Sequence, residues 1–196
     1  MCVEAAIAAK SIITSPRLIP SIPPASPTGT PGRRVALDGI LVALAMLFSY
    51  IETFIPFNFG VPGIKLGLAN LVVLLGLTFL PAVDVLLISL VRIFLSSLLF
   101  GNVMSLWYSL AGGLLSFAAM YLLSRRDDVS LIGMSMTGGV LHNVGQVITA
   151  AIVVRTLQLT GYLPVLLVAG LVTGAIIGTL AKLLMPRVQN ALQSFQ

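Results

Sequence analysis

The chain has 196 residues, of which 58% are hydrophobic and 9% charged, against about 25% charged residues in an ordinary soluble domain. So few charges cannot cover a soluble surface, and the composition points to one integral membrane domain. The net charge of +5 comes from scattered Lys and Arg without interleaved aromatics, which excludes nucleic acid as a partner, and the one cysteine, Cys2, excludes an intramolecular disulfide or a thiolate metal site.

Residues 1–34 carry Pro16, Pro20, Pro23, Pro24, Pro27 and Pro31 among Ser, Thr and Gly. That composition predicts a disordered cytoplasmic tail. From Val35 the hydropathy rises, and six apolar segments follow at 35–55, 64–80, 82–100, 105–123, 131–155 and 163–185. The expected fold is an all-α integral membrane protein, a six-transmembrane-helix bundle over residues 35–185, with a short cytoplasmic C-terminal tail at 186–196. The second segment is short and interrupted by Gly67 and Gly76, so it either tilts or starts within the outer leaflet. Arg33 and Arg34, Arg125 and Arg126, and Lys182 and Arg187 all fall on one side of a six-span chain. By the positive-inside rule that side is the cytoplasm, with both termini inside and the cell membrane as the location.

This orientation places the loop from Pro56 to Gly63 outside, between the first two spans. Its prolines and glycines hold it to turn-like paths, and Phe57, Asn58 and Phe59 suggest a lid with an apolar underside, or else a plain connector with interfacial aromatics. Lys65 follows directly, little more than a turn before Asn70. It either snorkels to the headgroups or closes a pocket over an anion.

Charges within the spans need a reason, because each is costly near the bilayer centre. Arg92 is the deepest, with Ser89 and Ser96 on its helical face, so it points into the bundle. Asp84, eight residues away, is roughly 12 Å distant along a helix, which is too far for a direct pair. Two partners remain for Arg92: Glu52, in a structural ion pair, or the anionic group of a bound ligand. In the fourth segment Ser105, Tyr108, Ser109 and Gly112 share a face near the outer end, as wall of a cavity or as part of an interfacial belt.

The fifth segment holds the sole histidine. His142, Asn143, Gln146 and Thr149 gather on one stripe of an otherwise apolar helix. Polar groups so placed must meet protein, water or ligand, since an unpaired amide in hydrocarbon costs several kcal/mol. With one His and no cysteine cluster, metal binding is not expected. Gly170, Gly174 and Gly178 repeat at four-residue intervals in the last segment, as Gly39 and Ala43 do in the first. The former suits internal helix packing, while the latter suits either packing or docking on a partner. No nucleophile elbow, Walker loop or useful carboxylate cluster is present, so no catalytic residue is expected.

The runs PGIKLGLANLVVLLGL, LVRIFLSSLLFG, SLWYSLAGGLLSF and GGVLHNVGQVITA resemble the Gx transporter family. Its members look like substrate-binding S components of energy-coupling-factor (ECF) transporters and are often labelled heptaprenyl diphosphate synthase component I. The resemblance implies six helices around an outward pocket capped by the loop after the first helix. It implies partners too: a T-type transmembrane subunit and two cytoplasmic ATPases, which use ATP while this chain holds no cofactor. It makes Gly39 and Ala43, with Ala36, the docking face. The synthase label implies a role in making a polyprenyl chain.

Overall fold

The computed structural model describes residues 31–54, 67–101, 103–126, 128–155, 161 and 163–194. Six helices account for nearly all of them: α1 (Pro31–Phe54), α2 (Leu68–Phe79), α3 (Ala82–Phe100), α4 (Val103–Ser124), α5 (Leu131–Val154) and α6 (Leu163–Ser194). No strand occurs among the described residues. Every helix but α2 is long and apolar enough to cross a membrane. With 12 residues, α2 rises only about 18 Å, short of the ~30 Å hydrocarbon core.

The helix ends follow from local chemistry. Within the described residues α1 begins at Pro31, and a proline is tolerated in a first turn because its missing N–H leaves no partner wanting. The helix therefore reaches four residues into the stretch expected to be tail, and residues 1–30 lie outside the described residues. Gly67 precedes α2 with φ 76°, a left-handed conformation that glycine adopts without steric penalty. Pro81 separates α2 from α3. Ser130 caps α5, its Oγ accepting from the Gly133 N–H at 3.1 Å. The expected C-terminal tail is helical as far as Ser194, since α6 continues through Pro186.

Apolar side chains cover the outside of this bundle as well as filling its core, and several polar ones are buried. On α3, Val83, Leu87, Val91, Phe94 and Leu98 are exposed at three- and four-residue intervals, while Asp84, Ser89, Arg92 and Ser97 are buried on the opposite side. A water-facing helix shows the reverse pattern, so this stripe is a lipid-facing surface. The short α2, apolar apart from Asn70 and Thr78, touches all five other helices and buries Ala69, Leu71, Val72, Val73, Leu74 and Gly76. It is the axis about which the others pack. The main core, with Leu74, Val85, Met120, Met134 and Ile177, gathers around its C-terminal half.

Small residues set the helix spacing. A Cβ on Gly139 would stand 2.6 Å from the Gly170 carbonyl oxygen, one on Gly174 2.6 Å from Met136 Cα, and one on Gly178 2.7 Å from Ile132 Cα. The glycine repeat of the last segment is thus an internal seam between α5 and α6. A second seam joins α4 and α5, where a Cβ on Gly145 would lie 2.9 Å from Gly112 Cα. The first helix differs. Among the described residues it packs chiefly on α2 and α3, none would meet a Cβ on Gly39 within 4 Å, and Ala36 and Ala43 are exposed.

One ion pair ties α1 to α3 at the end away from the cleft described below. The Arg34 guanidinium grips Asp84 with both arms, Nε donating to Oδ2 at 2.7 Å and an Nη to Oδ1 at 2.8 Å. Asp84 is 50 residues from this partner, and no helical spacing announces the pairing.

Candidate functional site

Five helices converge on a polar cleft of about 610 Å³, counting its open mouth. The C-terminal end of α1 brings Ser49 and Glu52, and the start of α2 brings Gly67 and Asn70. From the C-terminal half of α3 come Arg92, Ser96 and Ser97. Ser105 and Ser109 of α4 and His142 at the middle of α5 complete the polar wall. Phe100 stands at the rim, its ring centroid 5.1 Å from that of Tyr50 on α1. A smaller cleft of about 290 Å³ shares Gly67, Asn70 and His142 with the first and extends between α5 and α6, past Asn143, Thr173 and Gly174.

Arg92 is the electrostatic centre of the larger cleft. Only 8% of the residue is exposed, and its Nε is buried without a hydrogen-bond partner. A guanidinium is always protonated and offers five donors, so an unused buried N–H marks a place where an acceptor would be stabilised. The charge that acts on it is that of Glu52. The Glu52 carboxylate also serves α2, because its Oε1 accepts the Leu68 N–H at 2.6 Å. Gly67 has no side chain to cap this helix, and the acid 16 residues back takes that role, where the helix dipole favours negative charge.

The site residues expected from sequence divide into four groups. Asn70, Arg92 and His142 come together in the cleft. Asn143 lines the smaller cleft, but its Nδ2 donates to the Leu166 carbonyl at 2.8 Å, so the amide ties α5 to α6. Gln146 and Tyr108 line neither cleft; Gln146 packs its Cγ against Gly112 across the α4–α5 seam. Lys65 and the lid residues Phe57, Asn58 and Phe59 lie outside the described residues.

Sequence reading missed Ser49 and Ser97 as wall residues and Glu52 as a cap. The serines gave little signal: Ser97 stands five residues beyond Arg92, about 140° around the helix. Thr149, the fourth member of the α5 stripe, turns its hydroxyl back to the Gly145 carbonyl at 2.9 Å. Among the described residues no three His, Cys, Asp or Glu side chains assemble as metal ligands.

The arrangement is suited to binding: a fixed cation, a carboxylate, a carboxamide, an imidazole and a row of hydroxyls, enclosed by helices whose outer faces are apolar. No curated protein and no solved structure matches the chain. A family model described as heptaprenyl diphosphate synthase component I matches residues 41–184, well over half of the sequence and every residue that lines either cleft. The chain belongs to the heptaprenyl diphosphate synthase component I family.

Proposed function

We propose that the chain is the membrane substrate-binding S component of an ECF-type importer, which captures a small anionic or amphipathic metabolite from outside and delivers it inward. The observation that carries this reading is the cleft at Arg92: a buried cation with an unused donor, amid polar side chains, in a bundle whose outer surface is apolar. A membrane protein that only needed to fold would gain nothing from such a cavity. In this reading six spans place both termini in the cytoplasm, the cleft opens outward across the plasma membrane, and the 56–63 loop is its lid. The chain binds rather than catalyses, and holds no cofactor.

The face of α1 that the described residues leave uncovered supports docking. Gly39 and Ala43 present no bulk to the outside of the bundle, and α1 is the least buried of the long helices. A T-type subunit would seat there, with two cytoplasmic ATPases supplying the energy from ATP. Cells expressing this chain with and without such partners should accumulate its ligand from the medium only when all are present and ATP is available. ATP-independent accumulation, or none with the full complex, contradicts the reading.

The family description favours a second reading, a non-catalytic membrane component of a heptaprenyl diphosphate synthase in isoprenoid or quinone biosynthesis. Co-purification with a soluble polyprenyl synthase, and loss of the long-chain product on deleting this chain, would support it. Unchanged synthase activity after deletion would remove it.

A further inference from the structure

The start of α2 and the Arg92 side chain face the same cavity, and each offers N–H groups to an acceptor. Through Glu52 the protein already supplies one acidic group to both: its Oε1 takes the Leu68 N–H, and its charge acts on Arg92. Among the described residues lining the cleft, Arg92 is the one cation and Glu52 the one acid. Among these described residues the charges balance with Glu52 in place. Nevertheless Arg92 Nε, on a residue more than nine-tenths buried, has no acceptor.

We propose that the cleft binds the oxyanion head group of an organic acid, a carboxylate or a phosphate ester, between Arg92 and the N-terminus of α2, and that Glu52 holds this anion position until the ligand displaces it. Three physical points support the exchange. Helix N-termini and arginines both favour oxyanions, and together they supply donors from two directions. Glu52 is only partly buried at the end of α1, so it can swing toward the mouth of the cleft, whereas Arg92, anchored at mid-helix among packed side chains, cannot. A guanidinium buried with no negative charge nearby is costly, and the Glu52 carboxylate offsets part of that cost while the site is empty. The body of the ligand would extend toward His142 and the smaller cleft.

This inference rests on the substrate-binding reading and names the chemistry of its ligand. The test uses the full chain in neutral detergent, with benzoate and phenyl phosphate as anionic probes and benzamide as a neutral probe of nearly the same shape. Calorimetric affinities are compared for the wild type, Arg92→Gln and Glu52→Gln. The amide oxygen introduced by Glu52→Gln can still accept the Leu68 N–H, so this variant keeps the cap while removing the competing charge.

Glu52→Gln should bind at least one anionic probe about tenfold more tightly than the wild type, Arg92→Gln should bind it about tenfold more weakly, and benzamide should not distinguish the proteins. The anion that responds tells carboxylate from phosphate. Weaker anion binding by Glu52→Gln, or equal binding of benzamide and benzoate, overturns the proposal, and the first holds even if Arg92→Gln does not fold. Loss of ATP-driven uptake with these shifts intact would remove only the transport reading, and uptake without them would remove only this one.

Discussion

Alanine placed at Gly174 and at Gly39 should move stability in opposite directions. At Gly174 the new Cβ would lie 2.6 Å from Met136 Cα and 2.8 Å from the Ser135 carbonyl oxygen, about 0.8 Å short of the 3.4 Å at which ordinary contact begins. Both neighbours are backbone, so neither can turn aside, and α5 and α6 must part along their seam. Overpacking costs about 1–3 kcal/mol, and a clash this close with two backbone atoms falls in the upper part of that range, about 2–3 kcal/mol, while alanine in place of a helical glycine returns about 1 kcal/mol. The net loss, about 1–2 kcal/mol, corresponds to a fall of roughly 2–8 °C in Tm for a chain of this size. At Gly39 none of the described residues stands within 4 Å, so only the helix gain remains and Tm should hold or rise by a few degrees. Thermal unfolding of the detergent-purified variants, followed by light scattering or a thiol-independent dye, measures both. An unchanged Gly174→Ala protein, or a destabilised Gly39→Ala protein, would show that the helix spacing is not what holds the bundle and that the α1 face is not open.

Three further outcomes follow from particular contacts. Removing Arg34 should cost more than removing its partner: Arg34→Gln strands a carboxylate that is 9% exposed and should lose about 1–3 kcal/mol, whereas Asp84→Asn leaves a 45% exposed guanidinium in water and should lose less than about 1 kcal/mol. Equal losses in chemical denaturation would contradict that asymmetry. Asn143→Ala should lower stability by about 1–2 kcal/mol through its lost tie to Leu166, and should change ligand affinity less than His142→Ala does; the reverse order in paired melting and binding measurements would return Asn143 to the ligand. Gly67→Ala, forced to φ 76°, should cost about 1 kcal/mol and loosen the start of α2, visible as faster amide exchange at Leu68 and Ala69. No change in exchange there would dissociate the glycine from the helix start.

Much of the fold was legible because apolar segment length and Pro or Gly punctuation are one-dimensional signals. The six segments and the six helices coincide within a few residues over most of their ends, with Gly67, Pro81 and the 125–130 turn as breaks, while α1 and α6 run on past the expected outer limits. The glycine repeat of α6 was legible too, since spacing by four sets a single face. What lay beyond reach was pairing across distance. Arg34 finds Asp84 50 residues away, and Glu52 finds the Leu68 N–H 16 residues away, and neither separation lies within one helix. The polar stripe on α5 shows the same limit within one helix. Periodicity brought His142, Asn143 and Gln146 to notice together, but whether each meets a cavity or a neighbour depends on what the facing helix presents. Leu166 offers a carbonyl to Asn143, Gly112 offers a hollow to Gln146, and of the three only His142 stands beside both clefts. Arg92 was found because a buried charge is rare enough to be informative alone.

The most direct measurement is mass spectrometry of the small molecules retained by the protein through gentle purification from its native membrane, run side by side on wild-type and Arg92→Gln proteins of equal yield. The account predicts a bound organic anion with the wild type that is absent from the variant. The same small molecules in the same amounts from both proteins would contradict it.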